Sequence, residues 1–490
     1  MKAKPKQKQY WGIGLENETY MQFEESMIVS GAFIQEKIGC ERYSIDYRKC
    51  YKDESYGVPV ASAFDKNLTY KVSRMMNSHS LEKVDLNWKH RTIAGTDPVE
   101  DNPEYAGKSI LENFLETQPY NIWSMLTQKT NPMGSVNFDG DSIEFVTKYF
   151  ENRTISDSCD ELAATKKLFI DKLNESKVLD GKLSFPDYNI GFNMFMSNQE
   201  NIVLFNNGTY HFHLTLPTLT ENSRIVDYAD FEAKHANAIY LLQWFEPLFI
   251  ATLGSPDIMQ VISTKFGLNT KFAGGSMRNA MSRYTGVGTF HKSMPKGKVL
   301  TYPVADFRKL LKFTKEENIW WRDQIAADFD YELLSDVGLD FNQEKMYQSG
   351  FEFRSFDEFP ASYLPDLLHA IIIVCEHSLN VPNVSWGHDS VVWNNLVFKA
   401  LKDGYQTEIT AEEKQEVLKV LNLSLKSEFE GISKLDEFFF KIIAVLHEKY
   451  KDNNVCIDNM LGDKPNTVPR WDNFNKYQVE QHLKQLEAAE

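Results

Sequence analysis

Four segments spread between residues 12 and 360 alternate apolar with polar or ionisable residues at a period of two, and no other feature constrains the chain as much. A β-strand turns successive side chains to opposite faces, so each segment presents one apolar and one polar face. In GIGLENETY (12–20), Glu16 and Glu18 share a face with Gly14 and Tyr20, opposite Ile13, Leu15, Asn17 and Thr19. In GSVNFDGDSIEFVT (134–147), two runs flank Asp139-Gly140, a dipeptide favoured in tight hairpins, and in the second run Ile143 and Phe145 oppose Glu144 and Val146. In NGTYHFHLTLP (207–217), His211, His213 and Thr215 alternate with Phe212, Leu214 and Leu216. In FEFRSFDEFP (351–360), Glu352 and Arg354 oppose Phe351 and Phe353. The expected fold class is α+β. These strands would share one antiparallel sheet with helices packed on its apolar face, leaving the other face as a polar funnel.

The helices follow from period and caps. TISDSCDELAATKKLFIDKLNES (154–176) opens with capping residues and then runs as a helix, and YADFEAKHANAIYLLQWFEPLFIATLG is apolar enough to be buried on most sides. A helix is expected within 107–128, broken at Pro119, and another over SYLPDLLHAIIIVCEHSL. From about residue 408 the chain is charged and helical, beginning with the capping pattern Thr410-x-x-Glu413. Residues 1–9 read as a solvated tail, 10–395 as a catalytic unit with an irregular insertion at about 44–104, and 396–490 as a C-terminal helical region.

A chain of 490 residues with 42% hydrophobic and 13% aromatic residues has ample material for a filled core. Its formal charge of −16 opposes approach to nucleic acid and to anionic membrane, so neither is an expected partner. Cys40, Cys50, Cys159, Cys375 and Cys456 are odd in number, scattered and free of C-x-x-C spacing, which points to a reducing compartment. The basic start MKAKPKQKQY lacks a following apolar stretch, and LLHAIIIVC (367–375) is too short to span a bilayer. A soluble, cytoplasmic protein is expected.

Two carboxylates side by side on one strand face repel each other unless a cation lies between them or one stays protonated. Carboxylates joined by imidazoles offer oxygen and nitrogen ligands suited to Mg²⁺ or Mn²⁺, and the lack of a nearby cysteine argues against a structural zinc site. Singly, each motif has an ordinary explanation. E-x-E reads as a solvated face, H-x-H as satisfied or exposed histidines, E-x-R as an ion pair, and the Gly/Arg-rich FAGGSMRNAMSRYTGVGTF (272–290) as a surface loop. Their order along the chain is the stronger signal.

In that order, GLENE (14–18), IEFVT (143–147), GTYHFHLTLP (208–217), QWFEPLFIATLGSPD (243–257) and FEFRSFDEFP (351–360) resemble the carboxylate–amine ligase superfamily. That superfamily has the glutamine synthetase-like fold and includes glutamate–cysteine ligases and amidoligases. The resemblance implies an antiparallel funnel with Mg²⁺-ATP at its floor and helices on its outer face. Glu16 and Glu18 would coordinate metal, with Glu144, His211 and Glu352 as further ligands. His213 would contact nucleotide or substrate instead, and Glu144 would also serve the cofactor. Arg354 would face the transferring phosphoryl group, and Arg278 and Arg283 lie where the family places arginines that grip carboxylate and phosphate. The implied activity is ATP-dependent amide-bond formation between an amino-acid, peptide or protein carboxylate and an amine, through an acyl phosphate. The 272–298 region, with Gly274, Gly275, Gly286 and Gly288, is the expected mobile cover. Two alternatives stay open: a guanidino-kinase type of phosphotransfer on the same core, and a catalytically silent scaffold.

Overall fold

Period-two alternation governs more of the chain than the four motifs alone. A computed structural model of the protein describes residues 7–37, 64–82, 109–118, 134–139, 142–148, 151–198, 202, 208–221, 224–256, 261, 265, 274–276, 279, 339–342, 350–381, 384, 387, 390–424, 427–452 and 454–490. In chain order its strands are β1 (Gln7–Thr19), β2 (Met21–Phe23), β3 (Met27–Ser30), β4 (Thr69–Met76), β5 (Val136–Asp139), β6 (Ser142–Val146), β7 (Leu183–Ser184), β8 (Asn193–Phe195), β9 (Thr209–Glu221), β10 (Arg224–Ile225), β11 (Leu339–Asn342) and β12 (Gly350–Asp357). Among the described residues the helices of ten residues or more are α1 (Ile155–Ser176), α2 (Tyr228–Leu253), α3 (Leu364–Ser378), α4 (Val391–Asp403), α5 (Ala411–Val420), α6 (Leu435–Tyr450) and α7 (Phe474–Gln485).

The main sheet is antiparallel, in the order β11-β12-β9-β1-β6-β5, with β10 folding back on β9. The four motif strands are neighbours, as their shared two-faced design requires. β5 and β6 form the hairpin expected around Asp139-Gly140. Ile13, Leu15, Ile143, Phe145, Phe212, Leu214, Phe351 and Phe353 all lie buried on one face. Helices α1 and α2 cover that face, and an aromatic stack runs through the contact. Phe249 of α2 meets Phe353 and Phe356 at ring-centroid distances of 5.8 and 5.2 Å, and Phe439 of α6 at 5.2 Å. Edge-on pairs of this kind contribute about 0.5–1.5 kcal/mol each beyond simple burial.

The second sheet has the order β3-β4-β2-β7, with β8 pairing parallel to β4. Its central strand corrects the sequence reading, which treats 44–104 as an irregular insertion. Within that range 64–82 are described, and they hold β4 and a short helix, Ser78–Glu82. The residues of β4 alternate exposed and buried from Thr69 to Val72 and are buried from Val72 to Met76 except at Arg74, whose guanidinium lies over the Phe23 ring at 4.4 Å. The rest of 38–108 lies outside the described residues. Near the other end of the chain, Ala489 N–H donates to Thr69 O (2.7 Å), tying residues after α7 to the edge of β4.

Helix starts follow side-chain chemistry. Reciprocal capping boxes open α1 (Thr154 with Asp157), α5 (Thr410 with Glu413) and the helix Ile110–Thr117 (Ser109 with Glu112), each satisfying backbone donors that a helix start leaves bare. α2 carries Pro247 in its interior. Proline has no N–H, so the carbonyl four residues earlier, on Gln243, loses its helical donor. Trp393 of α4 supplies a replacement: its indole Nε1 donates to Gln243 O at 2.7 Å, and its side chain is fully buried. The C-terminal helices α6 and α7 contribute Phe439, Leu446 and Phe474 to the same hydrophobic cluster as β1 and β9. Among the described residues no helix is long and apolar enough to cross a membrane, and Cys159, Cys375 and Cys456 are buried free thiols.

Candidate metal centre

Strand register brings the polar motif residues together. In the β1–β9 pair Glu16 stands opposite His211, Gly14 opposite His213 and Glu18 opposite Thr209; in the β12–β9 pair Glu352 stands opposite His213. The result is a half-buried cluster across three adjacent strands. His211 Nδ1 lies 3.0 Å from Glu16 Oε2 and 3.3 Å from Glu352 Oε1, and its Nε2 lies 3.8 Å from Glu18 Oε1. His213 Nε2 lies 2.8 Å from Glu16 Oε1 and 3.9 Å from Glu352 Oε1. Arg354 Nη1 donates to Glu352 Oε1 at 2.7 Å.

Glu144 extends the cluster onto β6. It stands opposite Glu18 in register, and its carboxylate accepts from Asn137 Nδ2 at 3.1 Å. Directly opposed carboxylates on neighbouring strands destabilise a sheet, so this pair favours a cation close by. Arg278 and Arg283 lie outside the described residues. Their described neighbours Ser276 and Asn279 are buried and bonded to β12: Ser276 Oγ donates to Asp357 Oδ2 (2.6 Å) and Asn279 Nδ2 to Ser355 O (2.9 Å). Part of the expected mobile cover is fixed instead. Gly274 and Gly275 donate their amides to Lys402 O and Leu401 O, and a Cβ on Gly275 would fall 1.9 Å from Ala400 O. That close backbone approach, rather than hinge freedom, is the use of glycine there. Gly286, Gly288 and most of 272–298 lie outside the described residues.

The electrostatics are those of a site that compensates its own charge. Burial pushes the Glu16 carboxyl upward, but the charge of His213 and hydrogen bonds from both imidazoles outweigh it and hold Glu16 well below the usual carboxylate range. Burial works against charge on His213 too, yet Glu16 and Glu352 raise it to about 9. A divalent ion would take over the role of that proton.

The donor set fits such an ion. One ligand atom from each of Glu16, His213 and Glu352 lies within 4.8 Å of the others. Ligands sharing one ion at about 2.1 Å stand no more than about 4.2 Å apart, so modest closure suffices. The two carboxylates suit Mg²⁺ and Mn²⁺, while the imidazole nitrogen also suits Fe²⁺ and Zn²⁺. Two further polar residues at the site escape the motif reading. Thr209 Oγ1 lies 3.3 Å from Glu18 Oε2 and 3.2 Å from His211 Nε2, and Asn137 supports Glu144. Both were within reach of parity: Thr209 sits two residues before His211, and Asn137 faces Glu144 across the hairpin.

Comparison with known proteins gives a firm relationship. Over 484 residues the chain is 35% identical to "Uncharacterized protein R704" of Acanthamoeba polyphaga mimivirus, a match covering 97% of this chain and 81% of that protein. The chain belongs to that protein's family. Coverage of 97% places nearly all of this α+β architecture within what the two share in sequence. No family model matches the chain.

Proposed function

We propose that this protein is an ATP- and Mg²⁺-dependent carboxylate–amine ligase of glutamine synthetase-like fold. One observation carries the reading: β1, β9 and β12 lie side by side and collect Glu16, Glu18, His211, His213, Glu352 and Arg354 on one half-buried face backed by helices. Glu16, Glu352 and His213 would hold one metal ion, with Glu18, Glu144 and His211 available to others. Bound Mg²⁺ neutralises phosphate charge and lets two anions approach each other.

The chemistry explains why such a face is needed. A carboxylate does not condense with an amine at neutral pH, because its leaving group would be oxide. Attack of a carboxylate oxygen on the γ-phosphorus of ATP releases ADP and forms an acyl phosphate. The amine then attacks the carbonyl carbon, phosphate leaves with the original oxygen, and the amine nitrogen loses a proton. For phosphoryl transfer the protein chiefly supplies position and charge. Arg354, anchored by Glu352, presents a guanidinium beside the cluster, where it would stabilise charge on phosphoryl oxygens.

Calorimetric titration of ATP with excess Mg²⁺, then with EDTA, tests the reading alongside Glu16→Gln. Magnesium-dependent binding that disappears in the variant supports it, and no binding by the wild type overturns it. Product analysis separates the two chemistries, because a ligase releases free phosphate whereas a kinase leaves a phosphorylated product.

A further inference from the structure

Behind the carboxylate pair, on the buried face of the sheet, lies a polar lattice that the proposed chemistry does not use. Asn17 sits between Glu16 and Glu18 in sequence and points the opposite way. Its side chain is fully buried and makes three hydrogen bonds. Nδ2 donates to Glu358 Oε2 (2.8 Å) and to Thr209 O (3.0 Å), while Oδ1 accepts from Lys166 Nζ. Lys166 comes from α1 and lies over the Phe185 ring at 4.7 Å. Glu358, just past β12, is buried, and its backbone amide donates to Gly208 O at 2.8 Å. One amide side chain therefore ties β1, β9, the end of β12 and α1 together, directly beneath two proposed metal ligands.

The lattice is expensive. Burial lifts the Glu358 carboxyl to about 7 despite Lys166, and burial lowers the Lys166 ammonium despite Glu358. Apolar residues of similar volume are often as stable or more so, so a gain in stability does not account for the lattice, and its role is sought in geometry. That geometry matters here. The β1–β9 register already shifts once, between Tyr10 and Gly12, and a one-residue slip beyond that point would turn Glu16 and Glu18 into the core.

We infer that Asn17, Lys166 and Glu358 are positioning residues that lock the register and twist of β1, so that Glu16 and Glu18 meet a common set of metal ions. The inference rests on the metal-centre reading, and the test keeps the two apart. Binding of Mn²⁺ alone to the full chain is measured by electron paramagnetic resonance for the wild type, Glu358→Ala, Glu358→Gln and the remote core variant Leu446→Ala, each with its urea midpoint. The expected result is at least a tenfold loss of Mn²⁺ affinity in Glu358→Ala and recovery in Glu358→Gln, which keeps an acceptor for Asn17. Leu446→Ala should lose stability but keep its affinity. The double variant Lys166→Met/Glu358→Met removes both charges at similar volume and guards against misfolding; it should also lose at least tenfold. Wild-type affinity in that folded double variant overturns the positioning role alone. Absence of Mn²⁺ binding in the wild type overturns the metal centre and the inference with it.

Discussion

The Pro247 gap in α2 supports a quantitative prediction. Trp393→Phe deletes the indole donor that serves the Gln243 carbonyl, in a site with no exposure. Removing the hydrogen-bond donor of a buried carbonyl costs about 1–3 kcal/mol. The smaller ring also leaves a void, worth about another 1–2 kcal/mol. The single variant should therefore lose about 3 kcal/mol. Pro247→Ala restores an amide four residues after Gln243, so in that background the carbonyl keeps a helical donor when the indole is removed. Trp393→Phe should then cost only the void, leaving a coupling of about 1–3 kcal/mol between the two positions. Equilibrium urea unfolding of all four proteins, followed by far-ultraviolet circular dichroism, reads the cycle without depending on tryptophan fluorescence. Additivity within about 0.5 kcal/mol would refute the claim that the indole replaces the missing amide.

Other outcomes follow from the site and the core. Arg354→Lys keeps the charge but loses the planar fork, so ATP turnover should fall on the order of 10³-fold in a phosphate-release assay, and an unchanged rate rules out its phosphoryl role. Glu246 is buried in α2 and burial alone holds its carboxyl well above 4.5, so the native state keeps a proton that the unfolded chain gives up. Stability should thus be fully present below pH 4.5 and fall as pH rises above it, by up to about 1.4 kcal/mol per pH unit for this group. Glu246→Gln should flatten that slope in urea titrations, and an unchanged slope would exclude an ionising Glu246 as its source. A Cβ on Gly275 would collide with Ala400 O, so Gly275→Ala should lose about 1–3 kcal/mol or more in the same assay; a neutral result would mean that this approach is not maintained in solution.

What the sequence made legible was parity. Glu16, Glu18, His211, His213, Glu352 and Arg354 lie on one face because alternation in three strands left them nowhere else to go, and their adjacency followed from a shared apolar face. Caps were equally readable, since Thr410-x-x-Glu413 became the start of α5 as expected. The misses have physical causes. β4 went unseen because its short alternating run, Thr69 to Ser73, lies amid polar and turn-rich sequence and its partners β2, β3 and β8 are set only by the fold. Gly274 and Gly275 read as hinge residues because glycine serves both mobility and close approach, and sequence does not separate the two uses. Asn17 read as one more polar residue on β1, because its partners Lys166 and Glu358 are distant in the chain.

The order of the main sheet has a consequence for biosynthesis. β1 is near its centre but is translated first, whereas its neighbour β9 begins at residue 209 and β12 at residue 350. At about 5–20 residues per second, β1 emerges roughly 10–40 s before β9 and roughly 15–65 s before β12. For roughly the first 6–25 s of that wait, until β6 at residue 142 emerges, both its edges are bare; the edge that β9 takes stays bare for the rest of it, with Ile13 and Leu15 short of packing partners. Bare apolar strands invite pairing between nascent chains, and charged residues along them discourage it. Glu16 and Glu18, whose mutual repulsion is a burden in the finished sheet, would then keep β1 solitary on the ribosome until its own partners arrive.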